Sequence, residues 1–84
     1  MNVSIVKNKN INNYIKWPIW ECEPSKFDWE YESEEHCYIF KGKVTIYAYG
    51  KTYELNEGDY VVFPKNMKCV WEVHSKIKKY YKFI

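Results

Sequence analysis

An antiparallel all-β barrel or sandwich is the fold that this 84-residue chain predicts, and three observations predict it. Apolar and polar residues alternate in short runs, as in Phe27, Trp29 and Tyr31 against Asp28 and Glu30; period two marks a strand with one buried face. Such runs recur at roughly 8–12 residue spacing, with turn residues between them and no convincing helical pattern. Aromatic residues make up 20% of the chain; they favour strands, and each can bury roughly 150–250 Å². At this length the chain is a single domain, 1–84, whose core is marginal without such mass.

Taken in order, Met1–Val6 alternates enough to be a short strand. Asn8–Asn13 reads as a loop, with one helical turn near Asn12–Lys16. In Lys16–Glu23, Pro18 removes a ladder donor, so this is an edge or irregular segment leading into a strand. Pro24-Ser25 turns the chain. Phe27–Tyr31 and Glu35–Lys41 read as a hairpin across the acidic turn Glu32-Ser33-Glu34, ending at Gly42. Glu35, Cys37 and Ile39 share one face of its second strand, and His36, Tyr38 and Phe40 the other. Lys43–Tyr49, Thr52–Leu55 and Tyr60–Phe63 follow as strands, separated by turns at Gly50 and at Asn56-Glu57-Gly58-Asp59. Lys68–His74 alternates again, with Cys69, Trp71 and Val73 on one face. Ser75 breaks it, and Lys76–Ile84 is the last strand.

Charge and cysteine usage narrow the function. The net charge is +2, too small to imply a polyanionic partner. All thirteen basic residues are lysine. Without arginine, the preferred fork for phosphate and guanine is missing, which argues against sequence-specific nucleic-acid binding. Glu21–Glu35 is strongly acidic and Lys76–Lys82 strongly basic. Either these are two solvated faces, or the C-terminal strand lies beside the acidic segment. Cys22, Cys37 and Cys69 are odd in number and have no CxxC pair, which fits neither a disulfide framework nor a zinc knuckle. A reducing compartment, the cytoplasm, is expected. The N-terminus lacks the apolar core of a signal peptide, and no apolar run approaches the roughly 20 residues of a membrane helix.

Four pieces, WPIWECEPSKFDWEY, EEHCYIFKGKV, EGDYVVFPKNMKCVWEV and KKYYKF, together with the spacings Glu35 to Gly42 and Gly58 to Pro64, resemble the cupin family. Within it they are similar to the small single-domain subgroup related to ureidoglycine aminohydrolase. The resemblance covers Trp17–Phe83. It implies a jelly-roll β-barrel that admits ligands at one open end. It also exposes departures. Where metal-binding cupins carry His-x-His, this chain has Trp29 and Tyr31. Where they carry a later His it has Cys69, and where they carry a Gly it has Asn66, which also tolerates positive φ. Of the usual ligand positions only Glu35 keeps its residue type, so the resemblance implies the fold and the pocket rather than the metal.

The expected site is a cavity lined by Trp29, Tyr31, Glu35, Cys37, Cys69 and Trp71. Glu35 is the first catalytic candidate, as a proton acceptor or an anchor for a polar ligand; a turn cap or a lysine partner is the structural alternative. Cys69, the second, is either a reactive thiol or a small core residue, since a thiolate needs a base or a positive field. Cys37 fits lining better than ligation. Trp29, Tyr31 and Trp71 are core residues that equally serve as pocket walls. Lys79 and Tyr81 match the subgroup's C-terminal Lys-x-Tyr. Opposite Glu35, Lys79 would orient a carboxylate or ureido ligand; a solvated strand lysine is the alternative. His36 and His74 fall on faces away from the cavity. With no imidazole among the candidates, no metal and no cofactor are expected.

The function expected from these residues is binding or transformation of a small polar metabolite. A metal-dependent aminohydrolase and a single-strand nucleic-acid barrel are the two alternatives, the latter opposed by the acidic segment. Edge strands in so small a barrel invite homodimerisation.

Overall fold

The structure, a computed structural model, describes residues 3–7, 14 and 16–84. The loop expected at Asn8–Asn13 and most of the helical turn near Asn12–Lys16 lie outside the described residues. Among the described residues seven strands run in order: β1 (Ser4–Val6), β2 (Ile19–Cys22), β3 (Ser25–Glu30), β4 (Glu35–Ala48), β5 (Lys51–Leu55), β6 (Tyr60–Phe63) and β7 (Lys68–Phe83). Every pairing is antiparallel.

The two long strands organise the barrel. The first half of β4 and the second half of β7 belong to a sheet ordered β1-β6-β4-β7-β2. Their other halves carry β5 on the free side of β4 and β3 on the free side of β7. Both halves feed one core: Cys37, Ile39, Val61, Phe63 and Ile77 from the first, and Val44, Ile46, Leu55, Trp71 and Val73 from the second.

Gly42 and Ser75, expected to end strands, instead mark the corner that two continuous strands turn. Gly42 takes φ 94°, and a Cβ there would stand 2.3 Å from the Lys76 carbonyl oxygen. Only glycine allows both. The β4–β7 register shifts between Ile39 and Val44, the mark of a β-bulge. Its consequence is visible in burial. Before the bulge β4 buries Glu35, Cys37 and Ile39; after it, Val44, Ile46 and Ala48. On β7 the inward set Cys69, Trp71, Val73, Ile77 and Lys79 keeps one parity throughout, and the Ser75 hydroxyl accepts the Lys43 N–H at 3.0 Å.

The hairpin expected between β3 and β4 does not form. β3 pairs with β7, from Ser25 opposite Val73 to Glu30 opposite Lys68. Just beyond it, the Tyr31 N–H donates to the Met67 carbonyl at 2.9 Å and the Tyr31 carbonyl accepts the Asn66 N–H at 2.7 Å. The β6–β7 turn has therefore taken the backbone groups that a hairpin partner would need. Asn66 sits at φ 70°, in the conformation its residue type tolerates. A two-residue turn at Tyr49 (φ 55°) and Gly50 (φ 71°) closes β4 onto β5, with positive φ at both positions as a type I′ hairpin requires.

The acidic and basic segments meet. Glu21 in β2 lies opposite Lys78, and the ammonium groups of Lys76 and Lys78 stand 3.5–3.6 Å from Glu21 and Glu23.

Candidate functional site

Six residues singled out in the sequence surround one cavity of about 200 Å³: Trp29, Tyr31, Glu35, Trp71, Lys79 and Tyr81. In its wall the Lys79 ammonium donates to Glu35 Oε2 at 2.6 Å. The two side chains are 7% and 2% exposed, so the pair is essentially removed from bulk water. Strand parity puts each there. Glu35 opens the inward set of β4, and Lys79 continues the inward set of β7.

The walls are aromatic. The Lys79 ammonium lies 4.6 Å from the Trp71 ring centre and 5.0 Å from that of Trp20, within cation–π range. Trp20 and Phe27 flank Trp71 at 5.7 and 6.2 Å, the latter nearly parallel to it. Tyr31 stacks on Phe63 at 5.1 Å. Burial holds the Tyr31 phenol protonated well above its ordinary range, reinforced by the charge of Glu35 and a hydrogen bond to it. Trp29 is the half-exposed lip.

Trp20, Phe27 and Phe83 also line this cavity and were missed as site residues. Phe27 shared the alternation of Trp29 and Tyr31, so its side was legible. Trp20 enters because it pairs with Lys79 across β2 and β7, a long-range fact that no local pattern carries.

Neither Cys37 nor Cys69, both expected as lining, borders this cavity. Cys37 is wholly enclosed in the core and does not border the cavity. Burial pushes its thiol up to about 12, with Lys79 lowering it and Glu35 raising it. Cys69 borders a wider, shallower depression of about 780 Å³ that reaches Trp29 from the Tyr47–Thr52 side. Its Sγ donates to the Trp29 carbonyl at 3.5 Å. Burial raises its thiol to about 11 against the opposing contact with the Trp71 indole. That indole N–H is buried and makes no hydrogen bond among the described residues. Burial thus favours the protonated thiol at both positions, and a cysteine nucleophile needs a base or a positive field to offset that.

His36 and His74 lie away from the cavity. His36 bridges Tyr60 and Glu34 at 2.6 Å on each ring nitrogen, and His74 Nε2 meets the Thr45 hydroxyl at 2.7 Å.

Metal-binding cupins set a test of fit. The single retained ligand, Glu35, is engaged by an ammonium, and Trp29 and Tyr31 stand where imidazoles would be. Among the described residues no three His, Cys, Asp or Glu side chains gather as a metal-holding group. The donor set does not fit a first-row metal.

An all-β antiparallel barrel of this kind is a cupin-type jelly roll. The chain belongs to the EutQ-like cupin family, whose model matches residues 12–81. Among solved structures, a DUF861 family protein from Thermotoga maritima is 41% identical, with a TM-score of 0.91 over 99% of this chain and 100% of that one. The EutQ protein of Clostridium difficile is 19% identical (TM-score 0.73; 96% of this chain, 66% of that one). A putative ethanolamine utilization protein Q from Salmonella typhimurium is 14% identical (TM-score 0.72; 96% of this chain, 68% of that one). These two show likeness of fold. No curated protein matches the chain. No helix among the described residues is long and apolar enough to cross a membrane.

Proposed function

We propose that this cupin domain takes up a small, neutral, polar metabolite and holds its head group between Glu35 and Lys79. The observation that carries this reading is the 2.6 Å ion pair, buried at 2% and 7% exposure, in the wall of an aromatic cavity. A carboxylate accepts hydrogen bonds and an ammonium donates them. A ligand with a carbonyl oxygen beside an N–H or O–H, such as an amide or ureido group, therefore matches both. The pair is already neutral as a unit, so a ligand with a formal charge would enter uncompensated. Trp29, Tyr31, Trp71 and Tyr81 supply the apolar walls that small-molecule sites use. In this reading Glu35 and Lys79 are the working residues and the Cys69 thiol is supporting lining.

The likeness to the subgroup related to ureidoglycine aminohydrolase nominates ureido compounds as first ligands. The metal chemistry of an aminohydrolase is not carried over, because the donors do not fit. The three free cysteines accord with a reducing, cytoplasmic setting. A homodimer remains part of the reading, since among the described residues β2 pairs with β7 alone and Ile19 on it is 52% exposed.

Tryptophan fluorescence and saturation-transfer NMR against a panel of small amides, ureas and carboxylates test the proposal. Neutral amides and ureas should quench saturably in the wild type and lose that effect in Glu35→Gln and Lys79→Met. Equal responses in all three proteins would place the ligand elsewhere.

A further inference from the structure

Lys79 is the one lysine among the described residues whose side chain is buried. It faces a cavity large enough for a small molecule, touches a carboxylate at 2.6 Å and lies against two indole rings. The Glu35 carboxylate is a proton acceptor in direct contact with the Lys79 nitrogen, so the base that a nucleophilic lysine needs is already within hydrogen-bond reach. We propose that Lys79 is a Schiff-base lysine that condenses with a small neutral aldehyde or ketone, with Glu35 as its proton shuttle. The inference rests on the reading that the cavity takes up a small neutral molecule.

The chemistry balances within the pair. Glu35 takes one proton from the Lys79 ammonium, which frees the nitrogen lone pair. That lone pair forms a C–N bond to the carbonyl carbon while the carbonyl π pair moves to oxygen. The oxygen gains a proton from Glu35, and Glu35 recovers one from the now positive nitrogen, giving a neutral carbinolamine. Glu35 then protonates the hydroxyl, water leaves, and the nitrogen lone pair closes the C=N bond. Ammonium plus carbonyl has become iminium plus water, with charge and protons conserved and no oxidant or reductant needed. Glu35 ends as a carboxylate beside the iminium, restoring the ion pair. The cation–π contacts that hold the ammonium suit the iminium equally. Substrate choice follows from charge. A 2-oxo acid would bring a second carboxylate against Glu35 after Lys79 had been consumed as the counter-ion, so neutral carbonyl compounds are favoured.

The full chain is treated with propanal and sodium cyanoborohydride, and the alkylation rate of each lysine is read by peptide mass spectrometry. Lys79 should be modified about tenfold or more faster than exposed Lys65, because Glu35 stands against its nitrogen as a base. Glu35→Gln should slow Lys79 by about 100-fold and leave Lys65 unchanged. Lys79 modified no faster than Lys65 in the wild type overturns the proposal, and this outcome is read on the wild-type chain, so it needs no variant to fold. An unchanged Lys79 rate in folded Glu35→Gln overturns the shuttle. Saturable fluorescence quenching by a neutral amide without any preference for Lys79 defeats this inference and leaves the binding reading standing; loss of both defeats the two together.

Discussion

Lys78 and Lys79 are neighbours on β7, carry the same charge, and each meets a glutamate. Lys78 lies 3.5 Å from Glu21, with side chains 32% and 49% exposed. Lys79 lies 2.6 Å from Glu35, with side chains 7% and 2% exposed. The alternation of one strand thus presents one lysine to solvent and the next to a cavity. Water and salt screen the outer pair, so it contributes little. The inner pair has lost its hydration, and each partner is the other's main compensation. Proximity of opposite charge is common to both; burial decides whether the contact is incidental or controlling.

The largest effect should come from breaking the inner pair on one side. Lys79→Met leaves the Glu35 carboxylate buried and unpaired, and should cost about 3–5 kcal/mol in urea unfolding at pH 7. The double replacement Glu35→Leu/Lys79→Met should recover most of that loss while abolishing ligand quenching. A single variant as stable as wild type would mean that water reaches the site and that the contrast with Lys78 is false.

The corner that lets β4 switch its inward face is the next lever. Gly42→Ala forces a side chain into positive φ and against the Lys76 carbonyl, and should cost at least about 1–3 kcal/mol. If it unfolds at the wild-type urea midpoint, the bulge is not what sets Glu35 inside.

The thiols extend the comparison to pH. Cys37, beside the inner pair, has its pKa raised from 9.0 to about 12, and Cys69 has its own raised to about 11. Above pH 9 the unfolded chain releases thiol protons that the folded chain keeps. The unfolded state then binds fewer protons, so stability falls as pH rises. The contribution is fully present below pH 9 and is lost through pH 11–12. Cys37 alone should account for about 1 kcal/mol of loss by pH 10, and Cys37→Ala should flatten the slope of urea stability against pH. At pH 8, a disulfide reagent should label the half-buried Cys22 before either buried thiol. Rapid labelling of Cys69 would favour the reactive-thiol reading over the core one.

The smallest effect belongs to the outer pair. Glu21→Gln should change stability by about 0.5 kcal/mol or less and only at low salt. A larger, salt-independent loss would show that the outer cluster is organised as tightly as the inner pair.

Period-two alternation is a local property, and what it encodes was legible in the chain by itself. It placed Glu35 and Ile39 on one face of β4 and Trp71 inside on β7, and it set His36 and His74 apart from them. Turn chemistry at Gly50 and Asn66 was legible for the same reason, since positive φ is a property of one residue. What the chain could not state is which strand lies beside which. β3 went to β7 because the β6–β7 turn occupies the backbone of Tyr31. Trp20 joined the site because β2 pairs with β7 at Lys79. Gly42 and Ser75 looked like stops because a bulge and an end share the same local signal. The contact between Lys79 and Glu35 joins residues 44 positions apart. Each side chain's face follows from its own strand, whereas their meeting, and the exclusion of Cys37 from the cavity, depend on register and corner geometry that only the closed barrel decides.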